Sequence, residues 1–236
     1  DDVLEIELVD IIGDTLSEII ISDYSGNVTA VNATDGSTIW TTIVGSLSVT
    51  PIDLDGDGNK DEFASGTWNG DIDFLNSTGD LLFTHSSAGT TAVLEIEVTD
   101  LDDDGFENDL IFSPQGFIQR LNCNMTSCTI NWSTSVSNNQ VYNIKLSDIN
   151  NDNLLDIMAG GSFGYITVLN KTGDIYFEYQ TGGMVGVVRS PGNSISIETG
   201  DITNDGINEI LVASNDYYLY VMRDVGCVAE FNDSTS

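Results

Sequence analysis

Carboxylates recur at alternate positions of short loops along this 236-residue chain. Oxygen ligands at that spacing around a glycine form a cage for a hard divalent cation, which points to calcium. The pattern reads Asp-x-Asp/Asn-x-Asp-Gly/Asn-x-x-Asp/Glu and leads into an apolar run. Its clearest copy is DLDGDGNKDEF, from Asp53 to Phe63. DLDDDGFENDL begins at Asp100, DINNDNLLDI at Asp148 and DITNDGINEI at Asp201, with a weaker DIIGDTLSEI at Asp10. Solvated turns are the plainer alternative, because Asp and Gly favour turns in any case. Closely spaced carboxylates repel one another, however, unless a cation sits among them. A cation held only by the folded chain would stabilise it by mass action, so the expected role is structural.

The elements that position these loops follow from the flanking sequence. Successive copies start 43, 47, 48 and 53 residues apart, a period that marks a repeat architecture. An apolar strand precedes each loop (LEIELVD, SLSVTPID, VLEIEVTD, VYNIKLSD, SISIETGD), and further strands separated by turn signals follow it. After the second loop, FASGTW alternates as a strand, Asn69-Gly70 is a hairpin signal, DIDFLN follows, STGD turns the chain and LLFTHSS returns. No amphipathic helical period occurs. The expectation is an all-β chain, a β-propeller of about five four-stranded antiparallel blades in a single domain over 1–236. The blades fall near 1–45, 46–91, 92–139, 140–192 and 193–236. Trp40 and Trp132 fall in fourth strands and Trp68 at the end of a second strand; all three read as packing between blades rather than as ligand platforms.

The acidic loops with this strand pattern resemble the FG-GAP/VCBS-type repeats of integrin α-subunit propellers and of many secreted microbial proteins, over essentially the whole chain. NATDGSTIW (32–40) also resembles the blade turn of quinoprotein-like propellers. In the FG-GAP-type family the loop holds calcium through its first, third and fifth side chains, its seventh carbonyl and its ninth side chain. Carried over, the resemblance implies Asp53, Asp55, Asp57, the Asn59 carbonyl and Asp61 in the second loop, with Glu62 a rival for the last place. In the third it implies Asp100, Asp102, Asp104 and the Phe106 carbonyl. The ninth residue there is Asn108, and Asp109 takes over. In the fourth it implies Asp148, Asn150, Asp152, the Leu154 carbonyl and Asp156. In the fifth it implies Asp201, Thr203, Asp205, the Ile207 carbonyl and Glu209. The first loop keeps Asp10, Asp14 and Glu18 but has Ile12 at its third position and Thr15 in place of glycine, and is not expected to hold metal.

Charge narrows the function. Asp and Glu number 38 against 6 Lys and Arg, which argues against nucleic acid, whose phosphates need clustered cations. No run of 18 apolar residues exists to span a membrane. The opening Asp1-Asp2-Val3 reads as a processed mature start. His85 is the one histidine and lies in a fourth strand without a nucleophile motif; no catalytic set stands out, and the chain reads as a non-enzyme.

Cys123 and Cys128 bracket NMTS in a hairpin turn, placed to close a small disulfide loop; two free thiols are the alternative, and Cys227 is left over. Seven Asn-x-Ser/Thr sequons occur, at Asn27, Asn32, Asn76, Asn124, Asn131, Asn170 and Asn232. Asn32, Asn76 and Asn170 share one turn between third and fourth strands. Turn preference accounts for the asparagine but not for the hydroxyl two residues on, which favours glycosylation. The expected function is a secreted or cell-surface, calcium-stabilised propeller acting as a structural or adhesive module. Its partners would be protein or glycan at the extracellular surface, or further copies of itself. The alternative is a carbohydrate-binding or carbohydrate-active propeller.

Overall fold

A computed structural model describes residues 2–87, 90–183, 185, 196–223 and 226–232, the last segment by its backbone alone. Among these residues every regular element is a strand, and the strands form five four-stranded antiparallel sheets of the propeller-blade type. The first sheet is β1 (Val3–Val9), β2 (Glu18–Asp23), β3 (Asn27–Val31) and β4 (Thr38–Ile43). The second is β5 (Ser46–Ile52), β6 (Glu62–Thr67), β7 (Ile72–Leu75) and β8 (Leu81–His85). The third is β9 (Ile96–Thr99), β10 (Asp109–Phe112), β11 (Phe117–Asn124) and β12 (Ser127–Ser135). The fourth is β13 (Val141–Ser147), β14 (Asp156–Gly161), β15 (Tyr165–Leu169) and β16 (Ile175–Gln180). The fifth is β17 (Ile197–Gly200), β18 (Glu209–Ala213), β19 (Tyr218–Arg223) and β20 (Gly226–Asn232). Each sheet lies inside one expected blade, its strands neighbour one another in chain order, and the acidic loop joins the first strand to the second.

The chain gathers into two compact units, one of residues Asp1–Gln115 with Gln119–Asn131, the other of Gly116–Ile118 with Trp132–Ser236. In the first unit, apolar side chains from neighbouring sheets interleave. Ile20, Val28 and Ala30 meet Val49, Phe63 and Leu75, and Ile52, Ile72 and Phe74 meet Leu110, Phe112 and Leu121. In the second unit Met158, Ile166 and Val168 pack with Ile197, Ile210, Val212 and Met222. Both faces of the second strand are therefore covered, and β6 and β14 are buried along their full length. Each large apolar side chain so buried contributes about 1.5–3 kcal/mol. The last strand of a blade, such as β4 or β16, alternates toward solvent.

One tryptophan device fastens a blade to the next in each unit. Trp40 on β4 donates Nε1–H to the Ser77 carbonyl at 3.0 Å, and Thr42 donates to the Gly79 carbonyl at 2.6 Å. The indole lies on Gly79, where an added Cβ would come within 2.6 Å of the ring. Trp132 on β12 repeats this with the Lys171 carbonyl at 3.1 Å, and Thr134 with that of Gly173 at 2.6 Å. Gly173 lies under the indole as Gly79 does. These two tryptophans pack between blades as expected. Trp68 also meets the neighbouring blade, edge-on to the exposed Tyr24 at 5.4 Å, but it lies one residue past β6 and is 45% exposed rather than core.

Cys123 and Cys128 are joined by a disulfide that ties β11 to β12 across their turn. Cys227 lies on β20, where side chains fall outside the described residues. Among the described residues no helix is long and apolar enough to cross a membrane.

Candidate metal centre

All five acidic loops share one backbone shape, set by their first and fifth residues. The first aspartate folds the loop over itself by accepting N–H groups three to five residues on. Asp53 accepts from Gly56 and Gly58 at 2.8 and 3.1 Å, and Asp148 from Asn151, Asp152 and Asn153 at 2.7, 3.2 and 2.8 Å. Asp100 and Asp201 do the same. The fifth residue accepts from the seventh, as in Asn59 to Asp57, Phe106 to Asp104, Leu154 to Asp152 and Ile207 to Asp205. The fourth and sixth residues take positive φ in every loop, from Gly56 and Gly58 to Asn204 and Gly206. Only Gly, Asn and Asp do so readily, which explains the recurring residue types.

The first loop keeps this shape with a favoured residue, Gly13, at the fourth position but not at the sixth. Asp10 accepts from Gly13, Asp14 and Thr15, and Thr15, β-branched, sits at φ 73°, a strained position for such a side chain. Ile12 at the third position is exposed and offers no ligand oxygen.

A buried carboxylate closes each loop from the first residue of the second strand: Glu18, Glu62, Asp109, Asp156 and Glu209. Each accepts the N–H of the loop's second residue, at 3.1 Å from Ile11, 2.9 Å from Leu54, 2.8 Å from Leu101, 3.1 Å from Ile149 and 3.0 Å from Ile202. The second and third loops hold one residue more than the others before this carboxylate. The structure accordingly brings Glu62, not the ninth residue Asp61, to Asp53 and Asp55, with ligand oxygens all within 4.8 Å of one another. In the third loop Asp100, Asp102 and Asp109 gather in the same way, so Asp109 stands where Asn108 could not serve.

Charge divides the loops. Among the described residues no lysine or arginine forms an ion pair with Asp53, Asp55, Asp57 or Glu62; Lys60 pairs with Glu107 at 2.5 Å. Burial, reinforced by Asp61, Asp55 and Asp53, pushes the Glu62 carboxyl up to about 7. The fourth loop is alike: burial, with Asp152 and Asp148, raises Asp156 to about 6. Asn150 there donates to the Tyr176 hydroxyl at 3.2 Å. An arginine enters each of the other two. Arg120 Nε and Nη2 donate to Asp109 at 3.0 and 2.6 Å, and Nη2 lies 3.2 Å from Asp102. Arg223 Nη2 donates to Thr203 at 2.7 Å, to Asp205 at 2.8 Å and to Glu209.

The donor set of the second loop fits a divalent cation. Two buried carboxylates, Asp53 and Glu62, converge with the exposed Asp55 and with no lysine or arginine paired to them, and burying such charges is costly unless a cation joins them. Asp53, Asp55, Asp57 and Glu62 would hold the ion there; the fourth loop offers Asp148, Asn150, Asp152 and Asp156 at the matching positions of the motif. Neighbouring loops also touch. Asp53 N–H donates to the Glu107 carbonyl at 3.1 Å, and Asn208 Nδ2 to that of Asp148 at 3.1 Å.

The sequence reading missed both arginines; an alignment of the third strands is the signal that points to them. At one register position the first four blades carry Asn32, Asn76, Asn122 and Asn170, whereas the fifth carries Arg223. Register puts that position opposite the closing carboxylate, as in Asp109↔Asn122. Arg120 likewise stands where the other blades have Ala30, Phe74, Val168 and Val221.

The sequon turns show a use for the hydroxyl that turn preference alone left unexplained. Thr78 Oγ1 donates to Asn76 or Asp80, 2.8 Å from each, and Thr172 lies likewise 2.7 Å from Asn170 and 2.8 Å from Asp174. Asn32 accepts from Thr34 N–H, and Asn124 from Thr126. Asn27 starts β3 and donates to Asp23, while Asn131 lies exposed on β12. The side chain of Asn232, at the end of β20, and its partner Ser234 lie outside the described residues. His85 ends β8 edge-on to Phe112, with burial holding its pKa down.

Residues 148–212 match the model of the FG-GAP-like repeat, which covers the fourth loop through most of β18. The chain thus contains this repeat, a non-catalytic structural unit, in keeping with the reading as a non-enzyme. No curated protein is detectably similar in sequence. Among solved structures the chain is similar to BBS1N, crystallised in complex with ARL6DN, with TM-score 0.70 and 11% identity over 97% of this chain and 68% of that one. It is similar to Sqt1 of Saccharomyces cerevisiae, with TM-score 0.71 and 13% identity over 98% and 62%. It is also similar to BamB from Moraxella catarrhalis, with TM-score 0.58 and 16% identity over 91% and 61%. The chain therefore spans about two thirds of the length of these structures, and at such identities the likeness speaks for the fold alone.

Proposed function

We propose that the chain is a calcium-stabilised propeller module of an extracellular or cell-surface protein, with a structural or adhesive role toward protein, glycan or further copies of itself. The observation that supports the calcium reading most directly is the convergence of Asp53, Asp55 and Glu62 without a cationic side chain among them. The Cys123–Cys128 disulfide supports an oxidising location. Glycans on exposed sequons such as Asn124 and Asn131 belong to the same reading. The test is a thermal melt in chelator and in calcium. Free calcium at about 100 times its Kd should add about 2.7 kcal/mol per occupied site. For a chain of this size each kcal/mol raises Tm by about 2–4 °C. Identical melting curves in the two buffers would overturn the reading.

The exposed Trp68–Tyr24 pair favours a second reading, carbohydrate binding, because open aromatic faces stack on sugar rings. Glycan-array binding that disappears in Trp68→Ala would support it; binding unchanged in that variant would remove the pair from consideration.

A further inference from the structure

We infer that the third and fifth loops carry their own cation in the form of an arginine side chain, so that only the second and fourth loops take calcium. The inference rests on the calcium reading above and limits where it applies.

The fifth loop shows the replacement most fully. One atom, Arg223 Nη2, touches Thr203 at 2.7 Å, Asp205 at 2.8 Å and Glu209. Those are the third, fifth and closing residues, the side chains a metal ion would gather from that loop beside Asp201. Asp201 accepts the N–H groups of Asp205 and Gly206, as the first aspartate does in every loop. A guanidinium there supplies positive charge and directed donors together, and brings them covalently from the adjacent strand. In the third loop Arg120 spans the closing Asp109 and the third residue Asp102, and Asn122 Nδ2 adds donors to Asp109 and Asn108 at 3.2 and 3.1 Å. A guanidinium bonded to those oxygens competes for them with an ion whose ligands must approach to 2.3–2.6 Å. In the second and fourth loops the corresponding strand positions hold Phe74 with Asn76, and Val168 with Asn170, and no cationic side chain reaches the carboxylates among the described residues.

Two of the chain's six basic residues are thus committed to acidic loops, and the motif alone overstates the number of ions. The experiment is to count calcium ions bound to the full chain after chelator treatment, by native mass spectrometry and calorimetric titration. The unmodified chain should bind two. Arg223→Gln should bind three, with its thermal stability in chelator reduced and restored by calcium; Glu62→Gln should bind one. Three or four ions in the unmodified chain, or an unchanged count in Arg223→Gln, would overturn the inference while leaving calcium binding intact. No ion bound in the unmodified chain would instead overturn the calcium reading, and this inference with it. Should Arg223→Gln fold only in calcium, the count on the unmodified chain still decides the matter.

Discussion

The loops at Asp53 and Asp201 have the same left-handed turns, the same first aspartate folded over its backbone and the same buried closing carboxylate. They differ in what faces those carboxylates. Glu62 looks onto other acids and is driven toward neutrality, whereas Glu209 receives Arg223. The comparison teaches that loop shape and loop charge are separable. Shape is written into the loop by Gly, Asn and Asp at its fourth and sixth positions. Charge balance is set from outside, by one side chain on the third strand.

The comparison breaks most violently at the third loop, where Arg120 and Asp109 are both buried. Asp109→Asn would leave a guanidinium desolvated against a neutral amide, and removing one partner of a buried pair costs about 3–5 kcal/mol. The loss should appear in urea unfolding with equal size in calcium and in chelator. A loss confined to calcium would instead place the metal at that carboxylate.

A smaller effect distinguishes the open and arginine-filled loops by the sign of their pH dependence. Burial raises Glu62 from its ordinary 4.5 to about 7 in the folded chain, so the folded state holds a proton that the unfolded chain has lost. Its contribution to stability is complete below pH 4.5 and disappears as pH rises through 7. Asp156 behaves alike over the window from 3.8 to about 6. Asp205 is held low by the Ile207 N–H and then by Arg223, so its contribution is present above its ordinary 3.8 and is lost as pH falls below that value. In chelator, Glu62→Gln should therefore flatten the decline in Tm between pH 4.5 and 7, and Asp205→Asn should flatten the decline on the acid side. Flattening on the same side in both variants would erase the distinction.

Much of the architecture was legible in the sequence because its signals are local. Asn69-Gly70 and the Asn-x-Thr-Gly-Asp turns at Asn76 and Asn170 mark hairpins within a few residues, and the sheets close where those turns lie. The loop backbone was legible for the same reason. What was not legible depends on residues distant in sequence. Spacing within the second loop cannot separate Asp61 from Glu62; the choice is made by where β6 starts and which carboxylate can accept the Leu54 N–H. Arg120 and Arg223 lie outside the motif and meet it only through strand register. Trp68, read as core from its place beside a strand, sits one residue past the last paired position and turns to solvent. The threonine hydroxyls of the sequon turns have a task in the turn itself, which no count of sequons could show.

Trp40 and Trp132 each lie half-buried over a glycine, one in each compact unit. Their indoles are consequently built-in optical probes. Separation of the blade carrying Trp40 from its Gly79 neighbour would shift that emission to the red, as would separation of Trp132 from Gly173. Trp68 meets the same seam through Tyr24 of the preceding blade, so its signal has to be removed first. Replacing one indole with phenylalanine at a time would let ordinary fluorescence report in which unit the seam between blades opens first.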